Sequence, residues 1–306
     1  MTFDRWGNIT SELTNSLVRS LVLPAGILAK LKEMLGEPRK GDNTPPRCEP
    51  EGPLMICAGL PVPDEIIVSY IYLVGGRSAK ILVVAVGADP TGPLVTGALR
   101  ALTRYGMTKV DLLHLPDRAA ADNPEVLAQV TGAQGVLLVG ERPAEALGVL
   151  AATELHQVLQ RSCAERRPLM TVGPVGALLG EAVLLGDAGI APGIGLIRGM
   201  LVVTDWQEPG RAAQVMRSVV GEGSRALLGM GLDPGMAVLF RGSGEAKVYG
   251  PAGVTFVDGF APAKEGAQAP KVHVLMEHYV MNLRSRRPGG PVKEIPAASG
   301  GQGRNG

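Results

Sequence analysis

The stretch LMTVGPVGALLG, residues 169–180, has the pattern of a strand entering a tight turn and then a helix of small residues. Hydrolases often seat a nucleophile in such a turn. Here its centre is Gly173-Pro174-Val175, which offers no hydroxyl and no thiol. Other nucleophilic or basic side chains are few: three cysteines (Cys48, Cys57, Cys163) and four histidines (His114, His156, His273, His278). Cys57 and His114 fall at the ends of the first and third predicted strands, which are neighbours in a flavodoxin-like strand order. A thiol and an imidazole brought together there could perform nucleophilic catalysis. The competing reading makes Cys57 a small buried hydrophobe and His114 a hydrogen-bonded strand end. The histidines and cysteines show no CxxC or other metal-ligand spacing, so no metal is expected. GIGLIRG has the spacing G-x-G-x-x-x-G and is not a dinucleotide fingerprint, so no cofactor is expected either.

The elements that would position these residues are legible from periodicity. Apolar runs at 54–59, 80–87, 109–115, 135–140 and 168–173 read as buried strands, and helical patterns at 63–75, 92–105, 123–131 and 143–161 lie between them. Such alternation predicts a parallel sheet covered by helices, with ligands bound beyond the strands' carboxyl ends. After residue 180 a glycine-rich stretch leads to a helix at 208–220 and short strands at 236–241, 245–250, 253–258 and 271–276. These predict an antiparallel extension of the sheet. The fold class is therefore a three-layer α/β sandwich with a mainly parallel, flavodoxin-like central sheet extended by antiparallel C-terminal strands.

Four segments follow from the same reading. Residues 1–36 form an amphipathic helical extension, with Leu13, Leu17, Leu21, Leu28, Leu31 and Leu35 at roughly helical spacing and Pro24 dividing it. It packs on its own domain or a dimer mate, or else contacts a partner or membrane surface. Residues 37–53 are a Pro-rich linker, 54–283 the α/β domain, and 284–306 a disordered tail. The net charge of +1, with no basic stripe, argues against a nucleic-acid partner. The odd cysteine count and polar N-terminus point to the cytoplasm.

Several blocks, in order, carry a resemblance. GIAPGIGLIRGMLVVTDWQEPGR and LLGMGLDPGMAVLFRGSGEAKVYGPAGVTFVDG resemble the second half of cyanophycinase-like serine peptidases. LMICAGLPVPDEIIVSYIYLVGGRSAKILVVAVGA resembles their opening strand, helix and second strand. The likeness spans about residues 54–283. It implies a fold related to class I glutamine amidotransferases, a homodimer, and a serine nucleophile on a strand-to-helix elbow paired with histidine. The substrates implied are the β-aspartyl-arginine polymer cyanophycin or small aspartyl peptides. The family's elbow, Gly-Thr-Ser-Ala-Gly-Ala, falls on residues 172–177, so the nucleophile position is Pro174, followed by Val175. The Asp-Gln-His-Phe segment falls on 203–206, which makes the histidine position Asp205. The Gly-Gly-Asp-Gln turn becomes Val139-Gly140-Glu141-Arg142, with Arg142 at a substrate-facing glutamine. Asp233 keeps the family's aspartate, and Pro234 replaces the glutamate after it.

These substitutions matter physically. Acyl transfer needs an oxygen or sulfur nucleophile, a base within reach and donors for the oxyanion. Proline supplies no nucleophile, and its ring fixes φ near −65°, which excludes the positive φ an elbow nucleophile commonly adopts. The expected protein is a catalytically inactive homologue whose cleft, near Glu141, Arg142, Pro174 and Asp205, takes a small peptide or amino-acid-like ligand or serves assembly. One alternative is an active cyanophycinase or aspartyl-dipeptide hydrolase with a relocated nucleophile. A second is a scaffold that docks through the N-terminal helices.

Overall fold

A computed structural model describes residues 26, 27, 29, 30, 33, 48–186, 189–220, 227–242, 244–259 and 270–292. Most of the expected N-terminal helices, the linker up to residue 47 and the tail beyond residue 292 lie outside them. The five apolar runs form β1 (Leu54–Cys57), β2 (Lys80–Val86), β3 (Lys109–Leu115), β4 (Gly135–Val139) and β5 (Leu169–Val172). They are parallel and ordered β1-β5-β4-β2-β3, with Leu54 beside Leu169, Val139 beside Val172 and Lys80 beside Lys109. β1, β4 and β5 are buried along their whole length, which is why their sequences lack the alternation of a half-exposed strand.

The helices are α1 (Asp64–Leu73), α2 (Pro93–Arg104), α3 (Arg118–Ala121), α4 (Pro124–Gly132), α5 (Pro143–Leu150) and α6 (Glu154–Ala164). One face of the sheet, through Met55, Val83, Leu137 and Met170, packs on Ile66 and Tyr70 of α1 and Val95 and Leu102 of α2. The opposite face packs on α4, α5 and α6 through Val130, Leu147, Leu155 and Leu159. Among the described residues no helix is long and apolar enough to cross a membrane.

Beyond β5 the chain departs from a simple extension of one sheet. A 3-10 turn (Pro174–Leu179) leads to β6 (Gly180–Leu184), β7 (Ile190–Pro192), β8 (Ile197–Val203), α7 (Arg211–Val220), β9 (Leu228–Gly231), β10 (Ala237–Arg241), β11 (Glu245–Tyr249), β12 (Val254–Asp258), β13 (Lys271–Leu275), β14 (Tyr279–Asn282) and β15 (Arg287–Pro291). Only β10, β11, β14 and β15 extend the central sheet, antiparallel from β1, to make nine strands. The others build a second, six-stranded sheet in the order β13-β12-β9-β8-β6-β7. The second sheet exists because its strands are apolar on both faces. Met200, Val202, Met230 and Phe256 join the main core, while Leu201, Val203 and Val257 pack under Val215 and Val219 of α7.

Two boundaries differ from expectation. Residues 284–291 are not a disordered tail, because β15 pairs with β14 and Arg286 is buried against Asp258, with Nη1 donating to Oδ1 at 2.7 Å. Charge anchors this segment where apolar content is low; Arg284 also forms a two-bond ion pair with Glu49 at 2.6 and 3.0 Å. Cys48, inside the expected linker, is fully buried, with its thiol directed at the Gly199 carbonyl at 3.4 Å.

The helix expected over 143–161 is broken at Ala152, which adopts φ 57°. Buried His156 stabilises the break: Nδ1 accepts the Ala152 N–H at 3.2 Å and Nε2 donates to the Ile194 carbonyl at 2.7 Å. Thr153 caps α6 by accepting the His156 N–H at 3.2 Å. Burial lowers the His156 pKa, outweighing the opposing effect of the Ile194 carbonyl. The neutral ring therefore contributes stability that is fully present above its unfolded-state value of ~6.5 and is lost as pH falls through its lowered folded value. Chemical denaturation across pH 7 to pH 5 is expected to show this decline, and His156→Gln, which cannot titrate, is expected to flatten it.

Candidate active site

The site forms where strands of both sheets end together. β1 runs into Ala58-Gly59-Leu60, β5 into Gly173-Pro174, β8 into Thr204-Asp205 and β9 into Leu232-Asp233. Between them lies an open cleft of about 800 Å³, whose walls include Glu141, Pro174, Thr204, Asp205, Glu208 and Asp233. Thus Pro174, Asp205, Glu141 and Asp233, chosen from separate sequence blocks, share one cavity.

The turn after β5 has the backbone of a sharp elbow, but the left-handed residue is Gly173, with φ 93° and ψ −173°. Pro174 follows in the first turn of the 3-10 segment. Glycine is required at 173 twice over. Its φ is strained for other residues, and an added Cβ would lie 2.6 Å from both the Gly140 carbonyl oxygen and Leu94 Cδ2. The Gly173 N–H donates to the Cys57 carbonyl at 2.9 Å, and the Val175 N–H donates to the Gly140 carbonyl at 3.1 Å. In an elbow enzyme the N–H after the nucleophile is an oxyanion donor. Here that group is already spent on the Gly140 carbonyl. Val175 itself is buried in the main core, and its side chain is not part of the cleft wall.

Asp205 is held by Arg211 at the start of α7, through a short ion pair between Nη2 and Oδ2. Arg211 also donates from Nη1 to Gln214 Oε1 at 3.0 Å. Asp233 accepts the Gln207 N–H at 2.9 Å and so ties the 205–210 loop to the end of β9. Trp206 packs against Gly231, where any side chain would collide with the indole ring. Both aspartates therefore shape the rim. With Glu141 and Glu208 they put four carboxylates around the cleft, of which Asp205 is neutralised by Arg211, and among the described residues the wall contains no lysine, arginine or histidine. The resulting field favours cationic groups.

The remaining candidates lie elsewhere. Arg142 is exposed and pairs through Nε with Glu145 at 2.7 Å, outside the cleft wall. Cys57 is wholly buried, and desolvation raises its thiol pKa far above the ordinary value, the reverse of an activated nucleophile. His114 lies on the exposed edge strand β3, and β5, β4 and β2 intervene between it and Cys57. Four strand spacings put these backbones ~19 Å apart. The thiol–imidazole pair is therefore excluded by strand order, and the competing reading of Cys57 as a small buried hydrophobe is the one the structure shows. Sequence reading overlooked Thr204, Gln207 and Glu208; their place directly after the β8 run was the signal.

Known proteins agree with this architecture. No protein-family profile matches the chain. The crystal structure of a peptidase from an acI-B1 actinobacterium superposes with a TM-score of 0.54 at 20% identity, over 75% of this chain and 99% of that one. The fold is thus shared with an α/β peptidase. Cyanophycinases of Synechococcus elongatus and Thermosynechococcus vestitus are each 25% identical over 208 residues, covering 63% of this chain and 63% of theirs. The chain is thus similar to cyanophycinases in sequence, and the match spans less than two thirds of these relatives' length.

The turn geometry makes a direct test. Gly173→Ala drives a methyl group into a backbone carbonyl that cannot move without breaking the contacts of Val175. It is expected to lower unfolding free energy by about 3 kcal/mol, read by urea denaturation.

Proposed function

We propose that this chain binds, rather than hydrolyses, a small peptide or amino-acid-like ligand carrying a cationic group, in the cleft between the ends of β1, β5, β8 and β9. The observation that carries the reading is the elbow itself. Pro174 stands where an attacking side chain would project, the following N–H is committed to Gly140, and Asp205 is committed to Arg211. The rim carboxylates of Glu141, Glu208 and Asp233 complement an arginine-like or amine-bearing ligand, and the cavity is large enough for a dipeptide. The cytoplasm is the compartment proposed with this role; Cys48, Cys57 and Cys163 are all buried and not joined in disulfides, compatible with a reducing environment.

A second reading has one specific observation behind it. Among the described residues that line the cleft, Thr204 is the only one bearing a hydroxyl, and it adjoins Asp205. It would serve a hydrolase whose nucleophile had moved from the elbow to the end of β8.

Incubation with cyanophycin and with β-aspartyl-arginine separates the two. The expected result is calorimetric binding of the dipeptide without release of arginine or aspartate. Glu141→Gln and Glu208→Gln are each expected to weaken binding roughly threefold, more at low salt than at high salt. Amine release that Thr204→Val abolishes would replace the binding reading with the hydrolase one.

A further inference from the structure

A second cavity, of about 350 Å³, opens between the hairpin of β6 and β7 and the helix α7, and it shares no lining residue with the cleft. Leu184 and Ile190 form its apolar wall; both are half-buried and pack on the small core beneath α7. The hairpin adds little bulk of its own. Gly186 and Gly189 line the hollow, and a Cβ at either would meet no atom within 4 Å beyond its chain neighbours. A hollow of this size with an apolar wall lies within the range of small-molecule sites.

The opposite wall is polar and comes from one face of α7, where Gln214, Arg217 and Ser218 stand three and four residues apart. Ser218 is committed, its hydroxyl donating to the Gln214 carbonyl at 2.7 Å. The Gln214 side chain is oriented by Arg211. A guanidinium can only donate, so the Nη1 bond at 3.0 Å fixes Oε1 on Arg211 and leaves Nε2 without a partner among the described residues. Arg217 is exposed and makes no hydrogen bond or ion pair among the described residues. None of the described lining residues is acidic. One wall is thus apolar, and the other carries a single positive charge beside an amide donor.

We propose that this cavity binds a small amphipathic carboxylate, with its aliphatic chain on Leu184 and Ile190 and its carboxylate on Arg217 and Gln214 Nε2. A guanidinium meets a planar carboxylate with parallel N–H bonds, and the carboxamide on the same helix face supplies a further donor. One cation balances one negative charge, whereas the second charge of a phosphate dianion would go unpaired. The chain gains by leaving water for the apolar wall, and the charge fixes its orientation. This ligand is opposite in charge to the one proposed for the cleft, so the two sites do not compete.

Isothermal titration calorimetry of the full chain with isocaproate tests the site. A dissociation constant on the order of 1 mM is expected. Isohexyl alcohol keeps the chain and lacks the charge; acetate keeps the charge and lacks the chain. Each is expected to bind about tenfold more weakly or worse. Arg217→Gln is expected to weaken isocaproate binding about tenfold, and Arg217→Lys less, since an ammonium keeps the charge but not the paired geometry. Gln214→Glu keeps an acceptor for Arg211 and turns the remaining donor into a carboxylate oxygen. It is expected to abolish binding with an unchanged melting temperature. Absence of saturable binding by the wild type, equal binding of either analogue, or undiminished affinity in Arg217→Gln or Gln214→Glu would each overturn the proposal.

Discussion

Four residues, Leu54-Met55-Ile56-Cys57, hold the architecture together because β1 has no free side. Its edges pair with parallel β5 and antiparallel β10, and its faces alternate between the two main cores. A strand so placed must satisfy every backbone group through its neighbours and bury every side chain, so a polar residue there would leave a costly unpaired group. β1 is therefore the seam between the parallel half of the central sheet and its antiparallel half. Its carboxyl end also fixes the elbow, because the Gly173 N–H is bonded to the Cys57 carbonyl.

From that seam the cleft follows. Parallel strands bring their carboxyl ends to one edge, and the second sheet packs so that β8 and β9 deliver Thr204, Asp205 and Asp233 to the same place. The scaffold thus builds a cavity with Glu141, Pro174, Asp205 and Asp233 on its wall, while Cys57, His114, Arg142 and Val175 lie outside it. The polar groups at the elbow and rim are bonded within the fold. The N–H suited to an oxyanion points at Gly140, and the carboxylate at the end of β8 pairs with α7.

The strands and helices were largely readable because their signals are local. β2, β3 and β4 lie within one residue of the apolar runs, and α1 and α2 nearly match theirs. The break at Ala152 was not readable, since it depends on His156 reaching Ile194, far along the chain. Nor was the order within β15, where Arg286 finds Asp258 across the fold. Composition scored that segment by its lack of apolar side chains and had no access to an ion pair between distant residues.

By itself the sequence determined the α/β alternation, the blocks shared with cyanophycinase-like peptidases, and the absence of any hydroxyl or thiol at Gly173-Pro174-Val175. These are matters of residue type and near-neighbour spacing. Only the tertiary structure decided that Cys57 and His114 lie apart, that the late strands split between two sheets, and that Pro174 and Asp205 face one cleft. Strand order depends on which apolar faces find each other across the chain, and short apolar strands carry too little individual information to specify their neighbours.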